Sequence, residues 1–373
     1  MLLATLACSA ASPASSPSPT ATQIPFTALA GTYRSLSGSI YVVNGLGQIV
    51  RFPDGWIRQL HGTADPRRFS VGPAFEVASP IEATVDFNGD SLTIGSSITA
   101  TRLAFKSTDV RIPSSDGVQL AATITEPLSP GPHPAIVVVH GSEPGTRVLY
   151  GVWVGLYASL GLTVLTYDKR GNGGSTGRYP GEVSTPESLA TFADDAAACA
   201  KFLARWPGVD PRRVGFHGGS QGGWTVPLAV SRFPAAAFAV LLSGPAVSVG
   251  QQTVWSLASG DASFIPTETM ARITAEMIAA ARVGYQPGPA LAELKLPVLW
   301  LNGETDRHVP TALNLEVLKA MKKRNFDAYV FPGVSHGLLV NPTGLDKDDA
   351  TSRSLAADLY SRIEMWLAGH GMT

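Results

Sequence analysis

Apolar and polar positions follow two different rhythms along the chain, and the rhythm changes near residue 108. From Phe26 onward the first part consists of short alternating segments: Ser39 to Val43, Gln48 to Phe52, Trp56 to Leu60, Ala74 to Val77, Ala83 to Phe87 and Ser91 to Ile94. Asn44-Gly45, Asp54-Gly55 and Asn88-Gly89 fall between them. These dipeptides accept the positive φ that tight hairpin turns require, so residues 24–108 read as a small antiparallel β domain, a barrel or sandwich. Its one histidine, His61, has no carboxylate or serine in an evident constellation, which points to packing or substrate positioning rather than chemistry.

From Asp109 the rhythm becomes strand and helix in alternation. Asp109 to Pro113 and Gly117 to Ile124 form a hairpin-like opening. Ala135 to Val139 is a continuous apolar run, as expected for a strand covered on both faces of a parallel sheet. Leu162 to Tyr167, Arg213 to His217, Phe238 to Leu242, Val298 to Leu301 and Ala328 to Phe331 repeat it. Helical spacing predicts helices over Val152–Leu160, Pro186–Trp206, Ser220–Phe233, Thr311–Arg324 and Ser352–Ala368. Such alternation implies a mostly parallel sheet with helices on both faces, which binds ligands beyond the carboxyl ends of its strands.

The rhythm breaks between the strand ending near Ser243 and the one starting at Pro297. Residues 247–294 contain a helix of roughly Pro266 to Val283, with Met270, Ile273, Met277 and Ala281 at helical spacing. Inserted after the sixth strand, this stretch reads as a helical cap over the strand ends. Trp255, Met270 and Met277 suit an adaptable apolar lining.

Composition narrows the function classes. Of 373 residues, 45% are hydrophobic and 15% charged, enough for a large core in one big domain with an appendage or in two domains. A formal net charge of −1 and the lack of a basic run disfavour nucleic acid as a partner. Two cysteines, Cys8 and Cys199, make no disulfide framework, and no Cys/His cluster has metal-ligand spacing, so no metal is expected. Residues 1–23 begin with the apolar run Met1 to Cys8 and continue almost entirely in Ser, Ala, Pro and Thr. Leu6-Ala7-Cys8 before that tether resembles a bacterial lipoprotein cleavage site. The resemblance implies export, periplasmic, extracellular or lipid-anchored through Cys8.

The chemistry gathers around Val214 to Trp224, an apolar strand running into a glycine-crowded turn and then a helix. Gly218-Gly219-Ser220-Gln221-Gly222 matches the Gly-x-Ser-x-Gly nucleophile elbow, with Ser220 at its apex. So short a pattern is matched easily by chance in a chain with 38 glycines, so the strand, turn and helix context decides. A hydroxyl needs an imidazole to take its proton and a carboxylate to fix that imidazole. Asn302 to Pro310 follows the seventh strand and offers Asp306. Pro332 to Gly337 follows the eighth and offers His336. Glu304 and His308 are the competing acid and base. Asp306 stands directly before the Arg307 to Pro310 stretch that opens the next helix, and choosing His308 would leave His336 unexplained. The backbone N–H groups of Gln221 and Ser142 are the candidate oxyanion donors. His140 and His217 sit at strand ends and read as backbone-bonded, while Asp168 and Arg170 brace the fourth loop. Asp194 and Asp195 read as helix surface or a polar anchor.

With His140-Gly141-Ser142, Tyr167 to Ser175, Gly218 to Gly222, Gly303 to Pro310 and Ser335-His336-Gly337 in place, residues 109–373 resemble the α/β-hydrolase family. The resemblance implies an α/β-hydrolase fold, a Ser220, Asp306 and His336 triad, and a cofactor-free serine carboxylesterase acting on a small-molecule ester. Bacterial carboxylesterases with an N-terminal β domain and the catalytic domains of prolyl-oligopeptidase-like peptidases are the nearest types. An exopeptidase or amidase with the same triad, and a non-catalytic ligand-binding homologue, are the alternatives. Glu143 stands where a small residue is usual in the His-Gly-Ser-Gly stretch.

Overall fold

The computed structural model describes residues 24–259 and 267–373; Cys8 and the expected tether lie outside them, as does the expected cap-helix start at Pro266. Nine strands make up the first domain: β1 (Gly31–Ser35), β2 (Ile40–Val43), β3 (Gln48–Phe52), β4 (Ile57–Gln59), β5 (His61–Gly62), β6 (Arg68–Val71), β7 (Ala83–Asn88), β8 (Ser91–Ile94) and β9 (Ile98–Arg102). They form one antiparallel sheet in the order β4-β3-β2-β1-β9-β8-β7-β6-β5. Its two edge strands are separated in sequence by Leu60 alone, so the sheet rolls round until its edges come together.

All four residues of β2 are buried, because both faces of this strand are covered. Tyr41 and Val43 point into the domain's own core with Tyr33, Ile49, Phe69 and Leu92. Ile40 and Val42 point the other way, and with Val50, Phe52 and Ile57 they join a second core containing Val152, Leu156, Leu355 and Leu359 of the following domain. Burying a side chain of this size contributes about 1.5–3 kcal/mol, so this shared core fastens the two domains together.

Among its described residues the second domain carries eight strands: β10 (Phe105–Pro113), β11 (Gln119–Pro127), β12 (His133–Val139), β13 (Thr163–Tyr167), β14 (Val209–Gly219), β15 (Ala239–Leu242), β16 (Val298–Gly303) and β17 (Phe326–Phe331). Their order is β10-β11-β13-β12-β14-β15-β16-β17, antiparallel at β10, β11 and β13 and parallel from there on. Alternate residues of β12 show why its run is continuously apolar. Val137 and Val139 pack under the helices Pro186–Leu203 and Gly222–Arg232, while Ile136 and Val138 pack beneath Gly151–Ser159 and Leu359–Gly369. This is the α/β-hydrolase fold preceded by an antiparallel β domain.

Ala74 to Val77, expected as a strand, form none, Phe75 N–H instead pairing with Ser352 O, and two boundaries also differ from the sequence reading. β10 begins at Phe105, and Phe105 to Thr108, expected in the β domain, pair with Pro127 to Ile124 of β11. The last helix starts at Leu359 instead of Ser352. After a turn at Ala350 and Thr351, residues 352–356 are not helical, because their backbone groups are taken elsewhere. Phe75 N–H donates to Ser352 O (2.7 Å), Leu355 N–H to Gly55 O (2.8 Å) and Ala356 N–H to Leu338 O (2.9 Å). Arg58, buried in the β domain, adds a bond from Nη1 to Arg353 O (2.9 Å).

Candidate active site

At the end of β14 the chain turns so sharply that Ser220 takes φ +49°, a left-handed value costly for a residue with a Cβ. Ser220 N–H donates to Leu242 O (2.9 Å), and Gly223 N–H to Ser220 O (2.8 Å), which holds the turn. A Cβ on Gly218 would stand 2.8 Å from Val226 Cγ2, and one on Gly223 only 2.6 Å from the backbone of Pro245. A Cβ on Gly222 would meet ordinary contacts at 3.8 Å. The glycine required on the helix side is therefore Gly223, one position beyond the one the pentapeptide pattern implies.

The loops after β16 and β17 bring the other two groups to the same rim. His336 Nε2 lies 3.0 Å from Ser220 Oγ, and His336 Nδ1 lies 2.8 Å from Asp306 Oδ2. Asp306 is 1% exposed, and its Oδ1 accepts the backbone N–H groups of His308 and Val309, each at 2.7 Å. The competing residues are occupied elsewhere: Glu304 accepts the Gly333 N–H (2.9 Å), and His308 Nε2 meets the Asp346 carboxylate (2.9 Å). Burial alone would lower the His336 pKa, but the Asp306 carboxylate, through charge and hydrogen bond, outweighs it and leaves the imidazole above its ordinary value.

The loop after β12 lies against Ser220, since a Cβ on Gly141 would be 3.5 Å from the serine Cβ. Gly141 N–H is taken by Tyr150 Oη (2.8 Å), whereas the N–H groups of Ser142 and Gln221 have no partner among the described residues. Three side chains not singled out from the sequence hold this loop. Tyr150 donates to Glu143 Oε1, Tyr179 donates to Ser142 O, and the buried Lys169 ammonium donates to Gly141 O and to Glu143 O (3.1 Å). Burial pushes Lys169 down to about 8 against the pull of Glu143, and its ammonium sits 4.4 Å from the Phe192 ring centroid. No sequence spacing announces these contacts, because they depend on how the loops after β12 and β13 meet.

Behind the rim, polar residues buttress the loops. Asp168 accepts the backbone N–H groups of Arg147 (2.9 Å) and Gly174 (2.8 Å). Arg170 pairs with the buried Asp195 at 2.7 Å, which makes Asp195 the polar anchor; Asp194, partly exposed, pairs with Arg232. His140 Nε2 bonds Tyr167 O at 2.6 Å as expected, but His217 Nδ1 bonds a side chain, the Tyr157 hydroxyl, at 3.0 Å. Burial lowers both imidazoles to about 3, with Lys169 adding to the effect at His140, so both are neutral.

A cavity of about 390 Å³ opens over Ser220, lined by Gly141, Ser142, Glu143, Tyr150, Trp153, His217, His308, His336 and Leu338 among others. No described residue of the cap lines it, contrary to the expectation for Trp255 and Met277. The helix Val249–Ser259 instead braces the acid loop: Trp255 Nε1 donates to Asp306 O (3.2 Å), Gln252 Nε2 to His308 O (2.8 Å), and Ser259 Oγ to Arg307 O (2.9 Å). A larger cavity, about 670 Å³, lies between the two domains, but none of the three residues at the rim lines it. Among the described residues no group of His, Cys, Asp and Glu could hold a metal ion.

Residues 152–356 match the model of the prolyl oligopeptidase family. The chain belongs to the prolyl oligopeptidase family. An uncharacterised protein of Mycobacterium tuberculosis is 32% identical over 229 residues, 61% of this chain and 72% of that one. The acylamino-acid-releasing enzyme of Rattus norvegicus is 23% identical over 248 residues, 61% of this chain but 32% of that enzyme, so this prolyl oligopeptidase family member spans about a third of it. In fold, a Pyrococcus furiosus esterase superimposes with a TM-score of 0.50 at 18% identity, covering 71% of this chain and 93% of that one. The protein is a serine hydrolase of the prolyl oligopeptidase and esterase type.

Proposed function

We propose that the protein is a carboxylesterase that cleaves short to medium acyl esters through an acyl-enzyme on Ser220. The carrying observation is the continuous hydrogen-bonded chain Ser220, His336, Asp306 at the floor of a small cavity. Ser220 Oγ attacks the ester carbonyl as His336 Nε2 takes its proton, and Asp306 holds the resulting cation. The oxyanion receives the free N–H groups of Gln221 and Ser142. His336 returns the proton to the leaving alkoxide, and a water repeats the sequence to release the acid. No cofactor enters these steps.

Ester over peptide is supported by the absence of β-domain residues from the cavity lining, since the rolled sheet then encloses no chamber around a peptide. Cleavage of acylated peptides is the second reading, favoured by the likeness to acylamino-acid-releasing enzymes. A panel of p-nitrophenyl esters from acetate to palmitate, run beside aminoacyl and acetyl-aminoacyl p-nitroanilides, separates the two. The expected result is highest kcat/KM on the shorter esters with anilides at least a hundredfold slower; faster anilide cleavage overturns the proposal.

A further inference from the structure

Resting on the reading of this cavity as an acyl-transfer site, we infer that Glu143 makes it a site for substrates that carry a positive charge close to the scissile carbonyl. Glu143 is the only carboxylate among the described lining residues, and no Lys or Arg lines the cavity with it. Its two oxygens have different fates. Oε1 is fixed by the Tyr150 hydroxyl, which is itself anchored by accepting the Gly141 N–H (2.8 Å). Oε2 has no hydrogen-bond partner among the described residues. It lies 2.5 Å from where a Gly141 Cβ would stand, and that point is 3.5 Å from Ser220 Cβ, so the free oxygen sits within about 6 Å of the nucleophile's Cβ.

No cation is hydrogen-bonded to Oε2 among the described residues. His140, 4.0 Å from Oε1, is a neutral buried imidazole, and the Lys169 ammonium attracts Glu143 only through space, since its hydrogen bonds go to the carbonyls of Gly141 and Glu143 and not to the carboxylate. The Glu143 side chain is 40% exposed, so a ligand reaches it from the cavity mouth. A carboxylate so near the oxyanion donors opposes the developing negative charge of a neutral substrate. A substrate ammonium seated against Oε2 cancels that penalty, and it does so most in the transition state, when the oxyanion forms. The ligand class is an ester with a quaternary or primary ammonium a few bonds from its carbonyl.

Two substrate pairs test this. One is choline butyrate against its neutral isostere with carbon in place of nitrogen, which puts the charge on the alcohol side. The other is alanine ethyl ester against N-acetylalanine ethyl ester, which puts it on the acyl side. The expected result is a kcat/KM preference of tenfold or more for the cationic member of at least one pair. Glu143→Gln is expected to reduce that preference about tenfold, and Glu143→Asp to keep most of it, a pattern that loosening of the loop would not give. No preference in either pair, or a preference that survives Glu143→Gln, overturns the inference. Choline binding followed by NMR titration of the Ser220→Ala protein reads the same site without turnover. Saturable binding that Glu143→Gln abolishes supports the inference even where no ester is hydrolysed and the esterase reading has failed. Absence of binding in both proteins counts against it.

Discussion

The two sheets of this molecule are built from similar apolar strands, yet they use their polar residues in opposite ways. In the rolled β sheet, buried Arg58 spends its guanidinium on Gly72 O, Ile57 O, Arg353 O and Glu82, and so closes the fold on itself and on its neighbour. In the hydrolase sheet, polar groups crowd the carboxyl ends of β12, β13, β14, β16 and β17, where Ser220 is strained and Asp306 is buried. Cost concentrated at one rim marks a site, whereas polar groups used to close a fold mark a support. The β domain is accordingly a support, since it shares a core with the hydrolase and lends the catalytic cavity no residue.

The sharpest way to break that contrast is to remove a rim residue and find that little changes. Ser220→Ala is expected to lower kcat on p-nitrophenyl acetate by about 10⁶-fold with the fold intact by circular dichroism, and Asp306→Asn by about 10⁴-fold. The pH profile gives an independent reading. Because Asp306 outweighs burial and holds the His336 pKa above its ordinary value, the imidazole keeps its proton to higher pH, and kcat/KM rises with pH through a limb above the usual histidine range. In Asp306→Asn that limb moves to lower pH. The same raised value means that this pair's contribution to stability is fully present below the unfolded pKa and is lost as pH rises through the folded one. An Asp306→Asn profile superimposable on the parent's would sink the assignment of the acid.

Much of this rim is legible in the sequence, for a physical reason. A nucleophile elbow needs a strand, a nucleophile at the apex of a tight turn and small neighbours in one short stretch, and Val214 to Trp224 provides them consecutively. Asp306 and His336 are legible because each follows its own apolar strand. Tyr150, Lys169 and Tyr179 are not, since their contacts depend on how the loops after β12 and β13 approach in space. The displaced start of the last helix was hidden likewise. The helical spacing of Ser352 to Ala368 is real, but tertiary pairing of residues 352–356 with the β domain and with the loop after β17 overrides it.

Whether the β domain is a support or a passenger turns on the shared core. Phe52 is 1% exposed and stacks on Tyr360, next to Leu359 in the C-terminal helix, with ring centroids 5.3 Å apart. Phe52→Ala removes that packing from both domains at once and is expected to cost about 3–5 kcal/mol in urea unfolding. Activity and intrinsic fluorescence should be lost together in one transition. Two separated transitions, with esterase activity surviving the first, would show that the hydrolase stands without the β domain.

The smallest effect probes the ground beneath the nucleophile. His217 lies three residues before Ser220, is fully buried against Tyr157 and Trp153, and has no partner for Nε2 among the described residues. Burial lowers it to about 3, while in the unfolded chain it titrates near 6.5. Below pH 6.5 the unfolded state therefore binds a proton that the folded state refuses, and stability falls as pH falls, until the folded imidazole titrates as well. Each such histidine contributes a slope of about 1.4 kcal/mol per pH unit in that window. His140 behaves alike, so His217→Gln is expected to lower the slope of unfolding free energy between pH 6 and 4 by about that amount and leave the His140 share in place. An unchanged slope would mean that water or local opening reaches this imidazole, and that the floor of the hydrolase rim is less dry than its packing implies.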